Sequence, residues 1–262
     1  MRFFDAHSHI HGKEFDSDRS EVLARMRAAE VSTITVGTYL ESSRQAVALA
    51  ESEPDVWATI GLHPTDTDEP FDEKEFRKLA EHKKVVGIGE CGLDYFWEKD
   101  EQKRKIQREN FSKQIELSIS LNKPLMVHGR PSKGSMDAYE DALGILNARY
   151  PMPGAIPSGN IHFFVGGRDI AKKFLDLGFT MSFTGVVTFA RDYDEVIRYI
   201  PLESILSETD CPYVAPAPYR GKRNEPAYVT EVVKAISSIK KLPVETVSER
   251  LLANACRVFG LN

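Results

Sequence analysis

The stretch Phe3-Phe4-Asp5-Ala6-His7-Ser8-His9 decides the reading of this chain. It ends a short apolar run on two imidazoles two positions apart, and the two-residue period of an extended strand aims His7 and His9 the same way. Such a pair is a clamp for a metal ion. Four later apolar runs end similarly, on or just before Glu90, His128, His162 and Asp210. Ligand-type residues thus recur at strand ends scattered through the whole chain, which points to a metal-dependent hydrolase.

Working outward from that stretch, short apolar β-branched runs alternate with longer amphipathic ones, the pattern of βαβ units around a parallel sheet. Eight runs read as strands: Phe3 to His7, Thr33 to Thr38, Trp57 to Leu62, Val85 to Glu90, Leu125 to His128, Ile161 to Phe164, Phe179 to Phe183 and Ile205 to Glu208. They are short and do not alternate strictly, as suits strands buried on both faces. Helices are expected over Glu21 to Ala29 after the cap Asp18, over Ser42 to Ala50, and over Asp100 to Asn122 before Lys123-Pro124. In the third of these, Phe111, Ile115 and Ile119 share a stripe. Tyr228 to Ile239 and Val244 to Phe259, ending at Gly260, complete the set. Eight strands with intervening helices in 262 residues match an α/β fold, a (β/α)8 barrel of about 250 residues with its active site at the C-terminal ends of the strands. A single domain over residues 1–262 is expected. The Pro- and Gly-rich Pro151 to Gly159 reads as a loop before strand six, and the charged Glu98 to Arg108 as a solvated helix face.

Composition narrows the partners. Thirty-four Lys and Arg against 39 Asp and Glu give a formal charge of -5, which argues against holding nucleic acid through a general basic field. Any phosphate contact must be local. The opening residues reach a charge and then histidines too soon for a secretory segment, and no apolar run is long enough to span a membrane, so a cytoplasmic protein is expected. Cys91, Cys211 and Cys256 are odd in number and far apart, which indicates reduced thiols. Cys91 and Cys211 adjoin ligand candidates, but alternation turns them away.

An isolated histidine in a strand is usually structural. Here five strand ends carry His, Glu or Asp, and barrel closure would bring them to one rim. Four His and two carboxylates without a required thiolate suit divalent Zn, Mn, Mg or Co, and six groups exceed what one tetrahedral ion needs. Two ions are expected, with Glu90 able to bridge them and a water activated for attack on a phosphodiester.

From Asp5-Ala-His7-Ser-His9 to the final helix, the chain resembles the TatD family of metal-dependent deoxyribonucleases, within the amidohydrolase-like hydrolases. The likeness is carried by Gly61-Leu-His63-Pro64, Gly87-Ile-Gly-Glu90-Cys-Gly-Leu-Asp94-Tyr95, His128-Gly-Arg130, Ile161-His162-Phe163, Glu208-Thr-Asp210-Cys-Pro212-Tyr213 and Ala215-Pro-Ala-Pro-Tyr-Arg220-Gly-Lys-Arg223-Asn224-Glu225-Pro226. The resemblance implies that His7, His9 and Asp210 hold a first ion, His128 and His162 a second, and Glu90 both. It also implies that Asp210 accepts the proton of the attacking water, with Glu208 as support or alternative base. His63 resembles the family's additional imidazole, binding phosphate or protonating the leaving oxygen; a packing role under Pro64 is its plainer reading.

Substrate contacts are expected from Arg130, on the same side as His128, and from Arg220, Lys222 and Arg223 after strand eight, where barrels commonly bind phosphate. Tyr95, Phe96 and Trp97 form an aromatic cluster on which unpaired bases could stack. Two departures bear on the substrate. His128-Gly129-Arg130 replaces the commoner His-Ser-Arg, and Phe163-Phe164-Val165-Gly166 follows His162 where Phe-Ser-Gly or Phe-Thr-Gly is familiar. The function implied is cleavage of DNA from single-stranded or frayed ends by a monomer without an obligate protein partner. The alternative is ester hydrolysis at the same centre, as in a D-aminoacyl-tRNA deacylase. A non-catalytic metal-stabilised binding protein would have no use for the spare bases.

Overall fold

The computed structural model describes residues 1–149 and 159–261. The apolar runs become β1 (Phe3–Ser8), β2 (Val31–Val36), β3 (Val56–Ile60), β4 (Val85–Asp94), β5 (Leu125–Arg130), β6 (Gly159–His162), β7 (Thr180–Phe183) and β8 (Ile205–Ser207). They pair in parallel in chain order in an eight-stranded sheet. The stretch Pro151 to Ser158, expected to be a loop, lies outside the described residues.

The sheet closes through β1 and the residues just past β8. Ser8 and Cys211 form a parallel bridge, the His9 N–H donates to the Cys211 carbonyl at 2.8 Å, and the Asp210 N–H donates to that of His7 at 2.9 Å. Asp5 fastens the seam by accepting from the backbone N–H and hydroxyl of Thr209, each at 2.7 Å. Pairing register shifts between Asp5 and Ser8 in β1, and between Ile88 and Cys91 in β4. Irregularities of this kind re-aim side chains beside active sites, and both fall next to ligand candidates.

Helices α1 (Arg19–Ala28), α2 (Leu40–Ser52), α3 (Glu73–Ala80), α4 (Glu101–Leu121), α5 (Asp137–Arg149), α6 (Arg168–Asp176), α7 (Asp194–Tyr199), α8 (Val229–Lys240) and α9 (Val244–Phe259) follow and flank the strands. The α3, α5, α6 and α7 segments were not delimited from sequence, being short or polar. Helix α4 shows how local chemistry sets the ends. The Asp100 carboxylate accepts from the Gln102 and Lys103 N–H groups, and Asn122 at φ 50° stops the helix, two residues before Pro124. Its buried face differs from the expected stripe: Phe111 and Ile115 are buried, Ile119 is exposed, and Gln107 and Gln114 lie inside instead. Gln114 bonds both backbone groups of Leu62, and Gln107 those of Asp94. Two polar residues on an otherwise apolar face thus brace the ends of β3 and β4.

Apolar side chains between the sheet and the helices form the main core. A separate cluster of Phe4, Ile34, Val86, Met126 and Leu206 packs against Val258 and Phe259 of α9. Most of these lie in the N-terminal halves of their strands, so α9 seals the barrel end opposite the ligand candidates. Among the described residues, no helix is long and apolar enough to cross a membrane. Cys91 and Cys211 are buried free thiols, as their alternation implied.

Candidate metal centre

The strand ends converge on Glu90. Its Oε2 lies 3.4 Å from His7 Nε2 and 3.8 Å from His9 Nε2, while its Oε1 lies 2.9 Å from His128 Nδ1, 3.3 Å from His162 Nε2 and 3.4 Å from His63 Nε2. Asp210 Oδ1 completes the first side, 3.5 Å from His9 Nε2 and 3.7 Å from His7 Nε2. Asp210 sits at φ 54°, a left-handed conformation that Asp tolerates better than most residues. One carboxylate therefore separates two groups of ligand atoms.

The surrounding hydrogen bonds decide which ring nitrogens carry protons. His9 Nδ1 faces the Val36 carbonyl at 2.8 Å and must donate to it, which leaves its Nε2 lone pair inward. His162 Nδ1 faces Glu208 at 3.1 Å and does the same. His128 Nε2 faces Asp94 at 3.1 Å, leaving Nδ1 toward Glu90. These are histidine–carboxylate or histidine–carbonyl pairs of the kind that orient metal ligands. The His7 and His9 Nε2 atoms approach to 3.3 Å, so two ring nitrogens point at a common space. His7 Nδ1 is buried without a hydrogen-bond partner among the described residues. His63 is different. Its Nδ1 lies 2.7 Å from the Thr65 hydroxyl and 3.3 Å from the Thr65 N–H, while its Nε2 faces Glu90 beside His128, where the three offer a further group of ligand atoms.

Electrostatics agree with a cation site. Burial pushes the Glu90 carboxyl up, but His63, His162 and His7 overcome this and hold it well below the usual carboxylate range. Burial depresses His162, and Glu208 with Glu90 reverses the effect, leaving it well above the usual imidazole value. His7, beneath its stacked neighbour His162 at 3.7 Å between ring centroids, is lowered by burial and by that neighbour. Five imidazoles crowd one carboxylate, and mutual repulsion opposes charging all of them. Divalent ions held by neutral nitrogen lone pairs and carboxylates fit this donor set.

The remaining predicted residues fall into two groups. Glu208 is fully buried and accepts from His162 Nδ1, the Phe163 N–H at 2.7 Å and the Ser182 hydroxyl. Although it lies close enough to His7 and His162 to complete a triad of ligand atoms, its oxygens are occupied. Glu208 thus holds His162 through Nδ1, and its three protein donors compete with the role of a base. Tyr95 also departs from expectation: it is buried, with its hydroxyl donating to Asp141 at 2.7 Å and accepting from Arg108. It anchors the loop and offers no stacking face. Arg223 is turned away, bonded to Asp18 and to the Glu14 carbonyl. The same pairing occupies the Asp18 carboxylate, which therefore makes no side-chain cap for α1. Lys222 is exposed on the same loop.

Arg130 and Arg220 face differently. The Arg130 guanidinium lies 4.3 Å from the Phe96 ring centroid and 5.3 Å from that of Trp97, and Arg220 lies 3.7 Å from that of Phe189. The chain has 17 arginines, all within the described residues, and the other fifteen engage a carboxylate or a backbone carbonyl. Among the described residues, these two alone have no hydrogen-bond or ion-pair partner for their N–H donors.

Asp94 lies in the Gly87-to-Tyr95 motif, and the sequence alone assigns it no role. Its Oδ2 holds His128, while its Oδ1 accepts from the Phe96 and Trp97 N–H groups at 3.0 Å. The even offset from Glu90 along an extended run is the signal that would have found it.

The two departures from the family pattern are one packing unit. A Cβ on Gly129 would lie 2.3 Å from the Tyr139 ring, and one on Gly166 would lie 2.6 Å from the Phe164 ring. Tyr139 packs on Phe164 at 5.4 Å and accepts from the Val165 N–H at 3.0 Å. A serine at 129 has no room while Tyr139 occupies the space. Gly129→Ser is expected to cost about 1–3 kcal/mol by overpacking, a fall of several degrees in Tm by thermal denaturation. In a Tyr139→Leu background the serine should cost much less, and an equal cost in both backgrounds would contradict this account.

The family described as TatD related DNase matches residues 4–260. The chain is 38% identical over 265 residues to an uncharacterized metal-dependent hydrolase, YabD, of Bacillus subtilis, covering 99% of each chain. It is 33% identical to the 3'-5' ssDNA/RNA exonuclease TatD of Pantoea ananatis, covering 98% of this chain and 99% of that one. The solved structure of YjjV, a TatD homologue from Escherichia coli, superposes with a TM-score of 0.89 at 28% identity, covering 100% and 99% of the two chains. With a barrel whose strand ends gather these ligands and a family match along nearly its whole length, the chain belongs to the TatD-related family of metal-dependent hydrolases.

Proposed function

We propose that the protein hydrolyses phosphodiester bonds of DNA, working from single-stranded or frayed ends with two divalent ions (Mg, Mn or Zn). The observation that carries this is the split of Glu90, whose two oxygens face separate groups of imidazoles. His7, His9 and Asp210 would hold one ion, His128 and His162 the other, and Glu90 both. When bound, such ions lower the pKa of a water and stabilise charge on a phosphoryl oxygen. Asp210, at the mouth of the first group, accepts the proton of the attacking water. The His63 Nε2–H donates to the leaving oxygen. Arg130 and Arg220, with free guanidinium forks, take phosphate oxygens, which supplies the local cationic contact that a net charge of -5 requires. The exonuclease name of the Pantoea relative favours the same substrate.

The test is add-back. Chelator-treated protein is given end-labelled single-stranded DNA or, separately, D-aminoacyl transfer RNA, then Mg, Mn or Zn, with His128→Ala as control. Metal-restored shortening of the DNA is expected. Restoration of ester cleavage alone would replace this reading with the deacylase one.

The role of Glu208 is separable. Glu208→Gln is expected to weaken binding of the ion at His162 by about 10- to 100-fold, measured by competition with a chromophoric chelator, while the rate at saturating metal changes little. A large rate loss at saturating metal would restore Glu208 as a base.

A further inference from the structure

The rim carries a second set of features that the phosphodiester chemistry does not use. Among the described residues, three aromatic side chains are exposed: Tyr39 at 37%, Trp97 at 65% and Tyr213 at 57%. All three lie on loops leaving the C-terminal ends of strands, Tyr39 after β2, Trp97 after β4 and Tyr213 after β8. The other exposed large apolar residues, Met1, Ile119 and Leu242, are neither aromatic nor on this rim. With β8 joined to β1, the three positions fall on every second strand, in an arc across half of the mouth. Each end of the arc has one of the two unpaired arginines, Arg220 after β8 and Arg130 at the end of β5. The Tyr213 ring lies 6.3 Å from that of His9, and the Trp97 backbone is pinned by Asp94, the partner of His128. Both platforms are therefore tied to the metal ligands.

We propose that Tyr213, Tyr39 and Trp97 are stacking platforms for successive unpaired bases, and that this arc sets a preference for single strands. The proposal rests on the nucleic-acid reading above. A paired base hides its faces within the duplex stack, whereas an unpaired one offers them to an aromatic ring. Arg130, held against Phe96 and Trp97, would take the phosphate next to the base on Trp97.

The chain has two tryptophans, and Trp57 lies on β3 against Phe4 and Lys84, away from the rim. A Trp57→Phe protein therefore reports on Trp97 alone. Metal-loaded protein is titrated with a phosphorothioate-linked single-stranded oligonucleotide that resists turnover, and with the same backbone bearing abasic sites. We expect the base-bearing strand to quench Trp97 and to bind roughly tenfold tighter per platform engaged. Trp97→Ala and Tyr213→Ala should each lose that advantage without weakening the abasic strand, and Trp97→Phe and Tyr213→Phe should keep most of it. Tight binding with no quenching, or equal affinity for the two strands, would overturn the arc alone. Failure of both strands to bind would overturn the nucleic-acid reading along with it.

Discussion

Glu90→Gln is expected to reduce metal-dependent hydrolysis by about 10³-fold or more while leaving the barrel folded. The substitution keeps the shape of the side chain, but removes the negative charge that lies between His7 and His9 on one side and His128 and His162 on the other. An amide offers only one oxygen, so it cannot face both groups with acceptors. Its N–H would point at nitrogen lone pairs that the Val36 carbonyl, Glu208 and Asp94 have turned inward. Charge stabilisation by bound ions is worth several kcal/mol, and about 4 kcal/mol corresponds to about 10³ in rate. Metal content by mass spectrometry should fall in parallel, from two ions toward one or none. A variant that keeps wild-type stoichiometry and a rate within tenfold would remove Glu90 from the centre of the mechanism.

The second large effect is on stability. Each divalent ion that binds the folded chain and not the unfolded one stabilises it by about 2.7 kcal/mol at a hundredfold excess over Kd. For a chain of this size that is roughly 5–10 °C in Tm per ion. Chelation should therefore lower Tm by that amount, and the difference should shrink as pH falls, for two reasons of the same sign. Protons compete for the nitrogen and carboxylate ligands. In the metal-free protein, His162 is raised well above the usual imidazole value by Glu208 and Glu90 against the pull of burial. Its contribution to the metal-free fold is fully present below the ordinary imidazole pKa and is lost as pH rises through the raised value. Acid thus weakens metal binding and, at His162, favours the metal-free fold. Calorimetry at several pH values, with and without chelator, checks this; a Tm difference that grows toward acid would contradict it.

Most of the architecture was legible in the linear chain, because strand burial, helix caps and proline stops are local signals. Helix α4 runs between its cap Asp100 and Asn122, and α9 has the bounds expected of it. The convergence of the candidate ligands was legible for a related reason. Parallel strands in a barrel must end on one rim, so His7, Glu90, His128, His162 and Asp210 meet wherever they stand in the sequence.

Partnership is what only the folded chain decided. Glu208 and Asp94 are both acids near ligands, and neither spacing nor composition says that Phe163, His162 and Ser182 would occupy the first, or that His128 and two loop amides would share the second. Arg223 and Arg220 stand three residues apart on one loop, yet one is neutralised by Asp18 and the other rests on Phe189 with its donors free. Tyr95 and Trp97 are near neighbours, one buried against Asp141 and one exposed at the mouth. A residue's chemical type is written in the sequence, but its availability depends on which distant side chain reaches it first, and that follows from tertiary packing.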